Sequence, residues 1–158
     1  NDEIPAITTP YFNFFELDVL CRMGKLTEVL DKIRSYWGGM LDLGAVTFWE
    51  EYDPSVPKEE QYDMYGDHFG KSLCHAWAAS PIYFLAKYFA GLDLVNKDGV
   101  TYILKPQMQY FTELDCTLPV GSNGVVRLVW DGEILEITPN ADGGILELGE
   151  QKLSLVRG

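Results

Sequence analysis

The chain has 158 residues, 47% hydrophobic and 13% aromatic, enough to bury a core in one domain or two small ones and too apolar for a disordered segment. Twenty-four acidic against twelve basic residues leave a net charge of -12. That field repels phosphate backbones and anionic bilayers, and no basic stripe offsets it, so nucleic acid and membrane surfaces are disfavoured as partners. No apolar run approaches the ~20 residues that a membrane span needs.

Cys21, Cys74 and Cys116 are far apart, odd in number and without a Cys-x-x-Cys pair. This argues against a zinc site, a redox motif and a disulfide framework. Cys21 and Cys74 fall in apolar, helix-like stretches and are expected as small buried residues. The sequence opens on Asn1 without an initiating Met or a leader and passes directly into an aromatic helix. That start is expected of the interior of a longer polypeptide.

Thr9-Pro10 offers an N-cap followed by proline at the first helical position, and Phe12, Phe15, Val19 and Met23 then recur at helical spacing up to a stop at Gly24. Leu26, Val29, Leu30, Ile33 and Trp37 mark a second helix ending at Gly38-Gly39. From Met40 to Gly70 no period persists, and Pro54, Pro57, Gly66 and Gly70 punctuate a long loop whose aromatic content favours a functional role. Ser72 is expected to cap a third helix running to about Ala90, apolar on most sides and either kinked or broken at Ser80-Pro81.

After the turn residues Asn96-Lys97-Asp98-Gly99 the pattern becomes that of strands. Val100–Leu104 and Gly124–Trp130 read as two of them, and Asp131-Gly132 turns a hairpin into Ile134–Thr138. Short strands follow through Ile145-Leu146 and Leu153-Ser154-Leu155. The expected organisation is helices over 1–93, which cannot close a helical domain by themselves, and a small antiparallel β-sandwich over 97–158.

Chemistry concentrates in Thr47-Phe48-Trp49-Glu50-Glu51-Tyr52-Asp53-Pro54 and in His75-Ala76-Trp77. Aromatic faces bind the apolar sides of sugars, and a carboxylate is what glycosidic-bond hydrolysis requires. Adjacent on the chain, Glu50 and Glu51 point in different directions, so at most one of them faces a given ligand. Either is a candidate general base beside Trp49; the plainer alternative is a solvated acidic loop with Trp49 as a core anchor. Glu50, Glu51, Asp53, Glu59, Glu60, Asp63 and Asp67, with Lys58 among them, also offer oxygen ligands for calcium, although without EF-hand spacing. Crowding is expected to raise their pKa values. His68 is expected to be exposed, and His75 is either a satisfied core histidine or, beside Glu50, part of a site.

Four runs occur in order: Ile7-Thr8-Thr9-Pro10-Tyr11-Phe12, Tyr36-Trp37-Gly38-Gly39-Met40, Gly44 to Glu50, and Ser72-Leu73-Cys74-His75-Ala76-Trp77. Together they resemble the C-terminal portion of bacterial α-L-rhamnosidases, glycoside hydrolase family 78, over essentially the whole chain. The resemblance implies the last helices of a catalytic (α/α)6 barrel followed by a β-sandwich. It also implies inverting hydrolysis of terminal, non-reducing α-L-rhamnose from an oligosaccharide or glycoside.

By the same resemblance Glu50 is the general base, His75 a sugar contact, and Trp49 and Trp77 pocket walls; no cofactor is implied. The family's Asp- and Arg-rich acid motif has no counterpart here. The chain alone is therefore expected to be inactive, its acid lying in a missing N-terminal part of the same polypeptide. Helices that lack those neighbours are expected to expose an apolar edge prone to self-association. A periplasmic or secreted location accords with the resemblance, and the cytoplasm stays open. The alternative to an enzyme is a non-catalytic carbohydrate-binding or structural module. A different sugar specificity on the same barrel is a third reading.

Overall fold

The computed structural model describes residues 7–96, 101–122 and 124–157. Residues 1–6 and 97–100 lie outside that set, so most of the turn expected at 96–99, and Val100, are not described. The chain divides into two compact units, Asn1–Tyr83 and Phe84–Gly158. The division falls inside the last helical stretch.

The first unit begins with α1 (Pro10–Arg22), entered through Thr9 in extended conformation with proline in the first turn. Its C-terminus is closed by Gly24 at φ 72°, where the Gly24 N–H donates to Cys21 and the Lys25 N–H to Leu20. This paired closure requires a left-handed residue, which glycine adopts without a Cβ penalty. Asn13, Leu17 and Cys21 form the buried line of α1. Phe12, Phe15, Val19 and Met23 lie on its exposed side.

α2 (Leu26–Lys32), a π-helical turn (Ile33–Trp37) and α3 (Gly38–Asp42) follow one another without a break. Gly38-Gly39 is therefore not the expected stop; the helix ends at Leu43-Gly44, where φ of Gly44 is 94°. Gly39 serves close approach instead, since a Cβ there would lie 2.3 Å from Tyr52 Oη. Tyr36, Trp37, Met40 and Trp49 join Leu17, Val29 and Leu30 in the core of this unit. The Trp37 indole N–H donates to the Ala78 carbonyl at 2.8 Å.

The long loop exists and extends further than expected, interrupted by a 3-10 turn at Lys58–Glu60. The helix expected from Ser72 does not form, because the backbone groups of Ser72 are engaged by Glu50 rather than by a first helical turn. His75 has extended backbone, a 3-10 turn spans Ala76–Ala78, and α4 starts only at Ser80 (Ser80–Phe84), with Pro81 in its first turn. A π-helical turn continues it over Leu85–Phe89. Phe84 and Phe89 are buried, whereas Leu73, Trp77 and Ile82 are exposed, so the stretch is not the wholly buried helix its composition suggested. Cys74, expected to be buried, is exposed; Cys21 is buried.

Among the described residues the second unit carries seven strands: β1 (Leu92–Leu94), β2 (Tyr102–Leu104), β3 (Leu114–Val120), β4 (Gly124–Trp130), β5 (Leu135–Pro139), β6 (Gly144–Leu148) and β7 (Gln151–Leu155). They form one sheet of order β1-β2-β6-β7 and another of order β3-β4-β5. Tyr102, Leu104 and Leu146 from the first sheet and Leu118, Val120, Val126 and Leu128 from the second share one buried cluster, so the unit is sandwich-like. Ala90 belongs to this cluster, which places the chain after α4 with the sheets.

The pairing of β2 with β6 is parallel, a departure from the all-antiparallel expectation. β1 and β3 are additions to the expected strands. β1 has only three residues, and β3 contains Pro119, which an edge strand tolerates because its N–H is not needed in the ladder. The β4–β5 hairpin forms with a four-residue loop, 131–134, closed by Asp131 Oδ1 accepting from the Glu133 and Ile134 N–H groups.

Candidate functional site

Two irregular segments, 47–50 and 72–75, lie antiparallel in the first unit. The Glu50 N–H donates to the Ser72 carbonyl at 2.9 Å, and the His75 N–H donates to the Phe48 carbonyl at 2.8 Å. Thr47 Oγ1 also donates to the Leu73 carbonyl. Residues 22 to 27 apart in sequence are thus held side by side, and this brings Glu50 and His75 together.

Glu50 is held at both carboxylate oxygens. Tyr65 Oη donates to Oε1 at 2.7 Å, and the Ser72 N–H donates to Oε2 at 3.1 Å. These two donors, the tyrosine first, keep its carboxyl below the ordinary glutamate range against partial desolvation, with still smaller lowering contributions from His75 and Lys71. The expectation that crowded acids would raise its pKa is thereby overturned for Glu50, because two hydrogen-bond donors stabilise the ionised carboxylate.

Glu51 faces elsewhere. It accepts from Thr8 Oγ1 at 2.8 Å and lies 3.8 Å from Lys71 Nζ. Lys71 is buried, its side chain only 4% exposed, and desolvation lowers its pKa against the fields of Glu51, Asp53, Asp63 and Glu50. The two adjacent glutamates therefore have different neighbourhoods, Glu51 tied to the entry segment and Glu50 to the loop.

Trp49 is 3% exposed and packs its ring 5.6 Å from that of Tyr62. A ring so enclosed offers no face to a ligand in this chain, which favours the anchoring role over a pocket wall. Trp77 is 67% exposed and stands edge-on to His75, 5.6 Å between ring centres, with Tyr11 of α1 5.2 Å on. Glu50, His75 and Trp77 thus belong to one neighbourhood, lined by a carboxylate, an imidazole and an open aromatic surface.

Two of the other loop acids have partners of their own: Asp53 accepts from Ser55, and Asp63 pairs with His68, which is exposed as expected. Among the described residues no three His, Cys, Asp or Glu side chains converge as a metal group, and the calcium reading gains nothing from the geometry.

Tyr65, Lys71 and the Ser72 N–H were not apparent as site components from the sequence. Lys71 reads as an ordinary surface lysine. Tyr65 had a signal in the Tyr65-Gly66 dipeptide, a turn flanked by Met64 and Asp67, whose backbones exchange both N–H to carbonyl bonds. The φ angles of Tyr65 (56°) and Gly66 (83°) are both positive, as in the tight turns of two-residue hairpins.

No family model matches the chain, and no curated protein matches it. Among solved structures, it is similar to the crystal structure of a GH78 family rhamnosidase of Bacillus sp. GL1, with a TM-score of 0.71 and 27% sequence identity. The match covers 94% of this chain and 16% of that one, so the chain spans about a sixth of the length of that enzyme. The helices-then-sheets arrangement is therefore one that a glycoside hydrolase contains.

Proposed function

We propose that the chain is the C-terminal part of an inverting glycoside hydrolase of the α-L-rhamnosidase type, and that it contributes the general base, Glu50. The observation that carries this reading is the Glu50 carboxylate, kept ionised by Tyr65 and the Ser72 N–H beside His75 and Trp77. A base must be unprotonated at working pH and still have free lone pairs for water. Each oxygen of Glu50 accepts one described bond, which leaves such capacity. The likeness to a GH78 rhamnosidase supports the substrate class, a terminal rhamnose on an oligosaccharide or glycoside.

In this reading His75 donates to a sugar hydroxyl and Trp77 covers an apolar sugar face, while Trp49 anchors the segment that carries Glu50. The general acid comes from the rest of the polypeptide, ~6.5–9.5 Å from Glu50 with the attacking water between. The exposed row Phe12, Phe15, Val19 and Met23 is the face by which α1 would join the remaining helices of an (α/α)6 barrel. A periplasmic or secreted location belongs to the same proposal.

The test is Glu50→Gln in the intact polypeptide, assayed on an aryl α-L-rhamnoside. A loss of about 10²–10⁴-fold in rate is expected of a general base. An undiminished rate would remove the assignment. The exposed Trp77–Tyr11 pair favours a second reading, a sugar-binding module without catalysis. Saturable quenching of tryptophan fluorescence by rhamnose, abolished by Trp77→Ala in a polypeptide indifferent to Glu50→Gln, would select it.

A further inference from the structure

Tyr65 combines three features that an ordinary loop tyrosine does not need. Its φ of 56° lies in the left-handed region, which is uncommon for a bulky residue and is strained relative to the usual basins. The residue is 77% exposed, so burial of apolar area does not compensate that strain. The phenol nevertheless has a defined partner, Glu50 Oε1 at 2.7 Å, across 15 residues of loop.

The turn that imposes this conformation is closed on both sides by the Met64–Asp67 backbone pair, with N–H to carbonyl distances of 3.1 and 3.0 Å. It is fixed further by its neighbours. The Gly70 N–H donates back to Asp67, and the Lys71 N–H donates to Tyr62 at 3.1 Å, which leads directly to Ser72. The donor to Oε1 and the donor to Oε2 thus come from the two ends of one folded segment, 65–72. A Cβ at Gly70 would sit 2.2 Å from the Met64 carbonyl oxygen, so the segment closes this tightly only with glycine there.

We propose that Tyr65 is a positioning residue for Glu50: the Met64–Asp67 turn holds the phenol on one carboxylate oxygen while the Ser72 N–H holds the other, which fixes the plane of the carboxylate. This deepens the general-base reading and rests on it for its catalytic meaning. A carboxylate held at one oxygen alone rotates about its last side-chain bond. Held at both, it presents its remaining lone pairs in one direction, as a base aimed at a single water must. The phenol also stabilises the ionised form by a charge-assisted hydrogen bond. Its loss returns Glu50 towards the ordinary glutamate range.

The experiment is Tyr65→Phe, which removes only the hydroxyl, read in two ways. In the 158-residue chain, the Glu50 side-chain carboxyl is titrated by carbon-detected NMR. Its pKa is expected to rise in the variant, and an unchanged titration would overturn the proposal. In the intact polypeptide, Tyr65→Phe is expected to lower kcat about tenfold with KM little changed. The acid limb of the rate profile moves to higher pH, because a weaker hold on the carboxylate lets it protonate sooner. A variant in which Glu50→Gln abolishes hydrolysis but Tyr65→Phe leaves the acid limb in place would overturn positioning and leave the base intact. An enzyme indifferent to Glu50→Gln, in which Tyr65→Phe still shifts the Glu50 titration, would remove the base reading and leave the contact.

Discussion

In the strand unit, Leu128 of β4 is laddered on both sides, opposite Cys116 of β3 and Ile137 of β5, and its side chain is fully buried with Val126, Leu118 and Tyr102. The segment from Leu43 to Ala79 has neither support. Its order comes from isolated backbone bonds, such as Glu50 to Ser72 and His75 to Phe48, and from single side-chain bonds. Gln61 Nε2 donates to the Asp53 and Val56 carbonyls, Thr8 holds Glu51, and Tyr65 holds Glu50, with Trp49 and Lys71 as the buried anchors. Ladders and apolar layers distribute stability over many equivalent contacts. The loop concentrates it in a few polar ones, each of which fixes the direction of one side chain. Precise placement of a carboxylate needs the second kind, and the sheets tolerate the loss of single polar contacts far better.

Substitutions should expose this contrast, beginning with the core. Leu128→Ala is expected to cost about 2–5 kcal/mol of unfolding free energy, measured by urea denaturation followed by circular dichroism. A cost near zero would mean that the two sheets do not share the core described. Gly39→Ala sets a methyl group against the Tyr52 ring, which itself stands 5.6 Å from Tyr36. Overpacking of this kind costs about 1–3 kcal/mol. Here it should also displace the loop that begins after Glu50, visible as shifted Glu50 and Glu51 resonances; if only stability changes, the link from α3 to the site is broken.

The smallest effect separates the regions without destabilising either. Cys74 sits in the exposed loop, Cys116 on β3 is partly buried with its thiol pKa raised by burial, and Cys21 is buried in α1. A thiol reagent under native conditions should therefore label Cys74 first, Cys116 more slowly and Cys21 last, because the thiolate and its accessibility set the rate. Mass spectrometry of the timed reaction gives the order, and early labelling of Cys21 would contradict the packing of α1.

The regular elements were legible to the degree that they repeat. Thr9-Pro10 and Gly24 bounded α1, and Gly124–Trp130 coincides with β4. β3 escaped notice because Pro119 reads as a strand breaker until its edge position is known. Gly38-Gly39 read as a stop because glycine's other use, making room for Tyr52, depends on a residue thirteen positions away. Ser72 read as a helix cap for the same reason, since its backbone is claimed by Glu50 from a distant segment.

By itself the sequence determined that helices precede strands, because periodicity is a local property, and it offered Glu50 or Glu51 with His75, Trp49 and Trp77 only as candidates for a sugar site, the choice of Glu50 coming from the family resemblance. Only the tertiary structure decided that Trp49 turns inward while Trp77 stays open, and that Glu51 is tied to Thr8 and Lys71 while Glu50 is held by Tyr65 and Ser72. Those outcomes depend on contacts between segments far apart in the chain. No local pattern encodes which of two adjacent glutamates will meet a phenol and which a buried lysine.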